Sequence, residues 1–329
     1  MNKMNELILG TLAGVEKAVI KEIKLKDPAA TAHRLSDERV LVENLSEERA
    51  LTLSTVLFIA RVLGVAELEA ISVKRLRYAI RELLSRTFKP ENIDKLAVRA
   101  HIPMHTFSEN FLEKIVAREI KRVWKIDCSP RATRKLRAEL YGKTLYLAIE
   151  VKGALHQRSY YVYKHPAPLS PIVACASLIL AEVESKSSIY DPFVGSGTTL
   201  IETAKILENV YCIGSDISRK YILCALHNSR EAEVEIDLFT ADFKFTPIKN
   251  CDYIIADPPR GIRMKSSNIK EILEKLIKIS EKIVSQKLIL ITPYVNIVTK
   301  IKTELVLEDI YVVKSSGTKL RILLYKSSC

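Results

Sequence analysis

The chain has 329 residues, 27% of them charged, and its 51 Lys and Arg outnumber 39 Asp and Glu to give a formal net charge of +12. That length accommodates two or three domains with their own cores, and the positive balance favours a polyanionic partner, nucleic acid first. No apolar run reaches the ~20 residues of a membrane span, and the six cysteines form no C-x-x-C pair. Membrane, disulfide and zinc classes are therefore set aside. With Glu6 and Glu16 breaking the N-terminal apolar stretch, no signal peptide is expected, and the chain is read as cytoplasmic.

In chain order, residues 6–11 read as a strand, and Ala13-Gly14 turns into a helix with Val15, Ala18, Val19 and Ile23 at helical spacing. Residues 39–43 form a second strand, Ser46-Glu47-Glu48 opens another helix, and residues 56–65 form a third strand. That order suits a ferredoxin-like α+β unit over residues 1–65. Ser72 then caps a helix to about Thr87, and residues 96–102 alternate as a strand. Ser108 caps a helix to Trp124 with Phe111, Leu112, Ile115, Val116, Ile120 and Val123 turned inward. Its other side carries Lys114, Arg118, Lys121 and Lys125 as a basic stripe. Arg131, Arg134, Lys135 and Arg137 follow, before a hairpin over Tyr141-Gly142-Lys143 into residues 144–151. Such basic residues suit phosphate contacts, which position RNA without reading its sequence. His101 and His105 are four apart, but Pro103 between them argues against a helical metal-ligand pair.

The segment His165-Pro166-Ala167-Pro168-Leu169-Ser170-Pro171 holds three prolines and reads as a stiff connection, with Pro171 starting a helix over residues 172–183. A strand at 188–190 then runs into Asp191-Pro192-Phe193-Val194-Gly195-Ser196-Gly197-Thr198-Thr199, and a helix follows. Gly195 and Gly197 let the backbone bend and lie against a ligand, which faces the N–H groups of the helix start. Three more strands end at Asp216, at Ala241-Asp242 and at Asp257-Pro258-Pro259-Arg260-Gly261. Together they draw the carboxyl edge of a doubly wound α/β sheet, with Asp216 placed to accept ribose hydroxyls. Residues 287–293 add a strand, and the tail ends in a hairpin over Ser315-Ser316-Gly317.

The D-P-F-x-G-S-G-T wording of the glycine turn and the later D-P-P loop resemble S-adenosylmethionine-dependent methyltransferases that act on amino groups. Gly10-Thr11-Leu12-Ala13-Gly14-Val15-Glu16, residues 145–151, Gly153–Tyr160 and Ala167-Pro168-Leu169-Ser170-Pro171 are similar to THUMP-domain tRNA guanine-N2 methyltransferases of the archaeal type. The resemblance implies a ferredoxin-like unit (1–65), a THUMP domain (66–153), a linker (154–170) and a Rossmann-like methyltransferase (171–329) with a seven-stranded mixed sheet. It places S-adenosylmethionine against Leu169 and Pro171, against Asp191, Phe193, Gly195, Ser196, Gly197, Thr198 and Thr199 of the turn, and against Asp216, Ile217, Ala241, Asp242, Phe243 and Asp257. Asp191 would meet the methionine amino group and Asp242 the adenine amine. Arg118, Lys121, Lys125, Arg131, Arg134, Lys135 and Arg137 would grip tRNA.

An exocyclic base amine is a poor nucleophile because its lone pair is delocalised into the ring. A loop that accepts hydrogen bonds from its N–H groups favours a pyramidal nitrogen. Asp257 offers a carboxylate and Pro258 a carbonyl, with Pro259 stiffening the loop. Arg260 departs from the aromatic usual there; its guanidinium could stack on the base, or with Arg263 and Lys265 grip phosphates. The expected reaction is methylation of guanine 10 or guanine 6 of tRNA. A ribosomal RNA guanine methyltransferase and a catalytically silent RNA-binding module are the alternatives.

Overall fold

The computed structural model describes residues 6–91, 93–103, 107–163, 168–260, 266–315 and 317–328. His105, the 165–167 part of the proline segment, Gly261, Arg263, Lys265 and Ser316 lie outside the described residues. The chain divides into two compact units, Met1–Thr11 with Glu22–Leu155 and Leu12–Lys21 with His156–Cys329.

In chain order the first half runs β1 (Glu6–Gly10), α1 (Glu16–Lys26), β2 (Thr31–Ser36), β3 (Arg39–Glu43), α2 (Glu47–Ala50), β4 (Phe58–Glu67), α3 (Val73–Arg86), β5 (Lys95–His101), α4 (Glu109–Val123), β6 (Asp127–Cys128), β7 (Lys135–Tyr141) and β8 (Thr144–Lys152). Its strands join in one eight-stranded sheet of order β2-β3-β1-β4-β8-β7-β5-β6. The antiparallel pairing of β4 with β8 runs from Ile59↔Lys152 to Glu67↔Thr144 and stitches the two ends of this sheet together. Helices α3 and α4 begin where Ser72 and Ser108 accept hydrogen bonds from the N–H groups of Arg75 and Phe111, each at 3.3 Å. Their apolar stripes, Leu76, Ile80 and Leu84 on one and Leu112, Val116 and Ile120 on the other, close on Leu96, Leu136 and Leu145 of the sheet.

Two details of α4 differ from the periodic reading. Phe111 is 40% exposed rather than inward. It sits in the first turn, edge-on to Phe107 at 5.9 Å between ring centroids. Glu119, in contrast, is buried among the apolar positions, where Arg77 and Arg81 of α3 donate to its two oxygens at 2.9 and 3.0 Å.

The second half runs α5 (Pro171–Ala181), β9 (Ser188–Asp191), α6 (Thr198–Ile206), β10 (Tyr211–Asp216), α7 (Arg219–Glu231), β11 (Asp237–Thr240), β12 (Cys251–Ala256), α8 (Ser266–Ile283), β13 (Val284–Thr292), α9 (Val295–Val298), β14 (Val306–Ser315) and β15 (Thr318–Lys326). The sheet has seven strands in the order β11-β10-β9-β12-β13-β15-β14. Strands β9 to β13 are parallel, whereas β15 runs antiparallel to β13 and to β14, so the sheet is mixed as expected. Successive strands fill one side of β9 through β10 and β11, and the chain then crosses to place β12 on the other side. That reversal opens a crevice at the carboxyl ends of β9 and β12, the place where open α/β sheets bind ligands. No described helix is long and apolar enough to cross a membrane.

Candidate active site

The crevice is a cavity of about 580 Å³, within the range of cofactor sites, and the ends of the parallel strands supply its floor. Asp191 ends β9, Asp216 ends β10 and Asp257 follows β12, and all three line it. Leu169, Phe193, Gly195, Ser196, Thr198, Thr199, Ile217, Asp242, Phe243, Pro258, Pro259 and Arg260 line it as well. Pro171, Gly197 and Ala241 do not reach the lining. Pro171 is buried at the first position of α5, and the Ala241 N–H donates to the Asp216 carbonyl at 3.1 Å. Gly197 is the N-cap of α6 at φ +87°, where an added Cβ would stand 3.2 Å from Ala225 Cβ, so it serves packing between helices. Gly195, at φ +51°, meets nothing nearer than a carbonyl at 3.8 Å on its Cβ side, and this leaves room for a ligand beside the turn.

Asp191 is 1% exposed. Its carboxylate accepts from the Phe193 N–H at 2.8 Å and from the Thr199 hydroxyl. Burial pushes its pKa up to about 7; these two hydrogen bonds pull the other way, and the charges of Asp257 and Asp216 add to the rise. Asp216 accepts from the N–H groups of Gly195 at 3.2 Å and Ser218 at 2.8 Å, so strand tip and glycine turn are held together. Asp242 accepts from the Lys244 N–H at 3.0 Å and caps the short turn that carries Phe243. Phe243 packs against Phe193 with ring centroids 4.8 Å apart.

Arg260 is partly buried at the cavity edge, where it is engaged by its own loop. Its guanidinium forks onto Asp257, Nη2 to Oδ2 at 2.8 Å and Nε to Oδ1 at 3.2 Å, and the Tyr294 hydroxyl donates to its carbonyl. The catalytic candidate is thus presented with both oxygens oriented by a cation three residues on.

The residues singled out for RNA separate by environment. Arg118, Lys121, Lys125, Arg131 and Arg134 are exposed, and Lys121 pairs with Asp127 at 2.8 Å. Lys135 and Arg137 instead converge on Glu150 of the neighbouring strand at 2.8 and 2.6 Å. Arg137 is largely buried, its guanidinium 3.2 Å from the centroid of the Phe58 ring. Desolvation lowers its pKa, against the pull of Glu150.

Sequence reasoning missed several participants. Tyr221 and Lys244 also line the cavity. Behind the glycine turn, buried Asn228 of α7 accepts from the N–H groups of Val162 and Tyr163 at 3.1 and 3.0 Å. It donates to the carbonyls of Tyr163 and Ser196 at 2.8 and 2.9 Å. One signal was available: Asn228 follows Ile222 and Ala225 on the buried stripe of its helix, and a buried amide requires partners. Glu202 of α6 accepts from Arg158 at 2.9 and 3.1 Å, from the Tyr160 hydroxyl at 2.6 Å and from the Cys175 thiol at 3.0 Å.

Residues 158–320 match the model of the RMKL-like methyltransferase domain. A tRNA (guanine(6)-N2)-methyltransferase of Archaeoglobus fulgidus is 27% identical over 188 residues, which is 48% of this chain and 48% of that protein. The chain thus spans about half the length of the curated relatives it matches. The crystal structure of TrmN from Thermus thermophilus superposes with a TM-score of 0.85 at 20% identity, over 98% of this chain and 99% of that one. SMU.472, solved as a complex with SAH, gives 0.77 at 17% identity over 100% of both chains. At these identities the two structures establish a shared fold.

Proposed function

We propose, from the match of residues 158–320 to the RMKL-like methyltransferase domain, that this protein transfers a methyl group from S-adenosylmethionine to the exocyclic N2 amine of a guanine in tRNA, at position 6 in preference to position 10. The observation that carries the reading is the convergence of Asp191, Asp216 and Asp257 on one cavity at the strand-order reversal. The residues present fit the donor. Gly195 leaves space where a Cβ would intrude, Asp216 ends the second strand, and Asp191 is a buried carboxylate suited to an ammonium group. Bound there, the donor supplies a methyl group on a sulfonium, already activated for transfer. Asp257 accepts an N–H of the target amine, Pro258 and Pro259 hold the loop, and Arg260 fixes the carboxylate. The name of the Archaeoglobus relative supports position 6.

The upstream residues are read as a ferredoxin-like unit (1–65) and a THUMP domain (66–153), joined by a linker (154–170) to the methyltransferase (171–329). Exposed Arg118, Lys121, Lys125, Arg131 and Arg134 provide the phosphate contacts, and the enzyme works in the cytoplasm on tRNA. The test is transfer of labelled methyl to tRNA transcripts with guanines 6 and 10 replaced in turn. Loss of labelling on replacing guanine 6 alone is expected. Labelling of ribosomal RNA but not tRNA, or unchanged labelling after both replacements, refutes the assignment.

Asp191 gives donor binding a pH dependence. The ionised carboxylate attracts the donor's ammonium group, so binding drives off the proton that the free protein retains below about pH 7. Affinity for S-adenosylhomocysteine should therefore rise with pH, by about tenfold from pH 6 to pH 8. Titration calorimetry across that range, with Asp191→Asn giving a flat profile, checks it; equal slopes for the two proteins would remove Asp191 from this role.

A further inference from the structure

Two adjacent tyrosines, Tyr160 and Tyr161, have ring centroids 4.7 Å apart, and Tyr160 packs on Ile201 of α6; besides the contact between the two hydroxyls, each reaches a different partner. Tyr160, 2% exposed, donates to Glu202 at 2.6 Å, inside the core network that also holds Arg158 and Cys175. The Tyr161 hydroxyl lies 2.6 Å from the Thr198 hydroxyl and donates toward the Leu169 carbonyl at 3.4 Å. Thr198 and Leu169 both line the cavity, one at the end of the glycine turn and the other just before α5. Asn228 holds the next two residues, Val162 and Tyr163, to the carbonyl of Ser196 in the same turn. The strip over residues 160–163 therefore reaches the glycine turn at two points and Leu169 at one.

We infer that Tyr161 is a positioning residue for the methyl donor, fixing Thr198 of the glycine turn against the Leu169 backbone where both line the cavity. This rests on the donor-site reading given above. A single phenolic oxygen can do this because it both accepts and donates, so Thr198 can give its proton to Tyr161 while Tyr161 gives its own to the carbonyl. Burial raises the phenol's pKa and keeps that proton in place across the working range. Without the oxygen, the turn and Leu169 lose their common partner and close on the donor only at the cost of ordering themselves. Donor binding weakens, whereas the in-line geometry at Asp257 is untouched once the donor is bound.

Calorimetry of the 329-residue chain with S-adenosylhomocysteine tests this against Tyr160→Phe as the control. Tyr161→Phe should weaken binding by about five- to tenfold, the worth of one buried hydrogen bond, and raise KM for the donor by the same factor with kcat unchanged. Tyr160→Phe should lower the ligand-free Tm at least as much yet leave the Kd at the wild-type value. Thr198→Val, which removes the other hydroxyl, should weaken binding by less when added to Tyr161→Phe than it does in the wild-type background, so the cycle stays informative if one variant folds poorly. Wild-type affinity in Tyr161→Phe, or losses in both tyrosine variants that track their Tm, overturns the inference while the donor site stands. No binding by the wild-type protein overturns the donor site, and the inference with it.

Discussion

Asp257→Ala should lose about a thousandfold in methyl transfer to tRNA, with kcat and kcat/KM falling together, while S-adenosylhomocysteine still binds. The side chain stands at the end of the buried strand β12, 14% exposed, and Arg260 orients both of its oxygens. A guanine amine gains nucleophilic character only as its nitrogen pyramidalises, and a fixed carboxylate accepting one of its N–H bonds favours that geometry over the planar ground state. The interaction therefore strengthens toward the transition state, which is why the loss falls on kcat. Arg260 sharpens the expectation. With its fork on the carboxylate, an incoming amine must share or displace one of two charge-assisted bonds, so the free enzyme presents an acceptor that is oriented and already occupied. Asp257→Asn keeps the shape and one acceptor oxygen but turns an N–H toward Arg260 or the amine. Its loss should be smaller, about 10- to 100-fold. Rates measured in single turnover, with binding measured separately, distinguish these outcomes; an Asp257→Ala protein with wild-type turnover would end the catalytic assignment.

Where a side chain's role depends on local chain geometry, the sequence announces it. The bend at Gly195 and Gly197, the strand-end carboxylates Asp191 and Asp216 and the Pro-fixed loop after β12 are properties of segments shorter than ten residues, and each stands where its wording places it. The seven-stranded mixed sheet follows from the order of such segments. What stayed hidden depends on register between segments far apart in sequence. Lys135 and Arg137 read as a basic patch, and only the pairing of β7 with β8 brings Glu150 beside them. Glu119 looks like the polar gap in an amphipathic helix until α3 packs Arg77 and Arg81 over it. Arg260 is a third kind: a loop has no period, so its sequence leaves open whether the guanidinium meets a base, a phosphate or, as found, its own neighbour Asp257.

Arg158→Ala should destabilise the methyltransferase unit by about 3 kcal/mol or more, although Arg158 is not among the described residues that line the cavity. Glu202 is 2% exposed on α6, the helix that the glycine turn starts, and Arg158 supplies two of its hydrogen bonds from a side chain only 16% exposed. Removing the cation strands a carboxylate in the core. The Tyr160 hydroxyl and the Cys175 thiol remain as donors, which holds the cost to the lower part of the range for a broken buried pair. Thermal unfolding of a two-unit chain gives more than one transition, and the relevant one is the transition that S-adenosylhomocysteine shifts upward. Its Tm should fall by about 10 °C in Arg158→Ala. Arg158→Met combined with Glu202→Met removes both charges at similar volume and should recover roughly half of the loss, with the remainder due to the two donors left without Glu202. Full recovery would mean that Tyr160 and Cys175 contribute nothing through Glu202. A single-variant loss below about 1 kcal/mol would mean that the ion pair is solvated, contrary to its burial here.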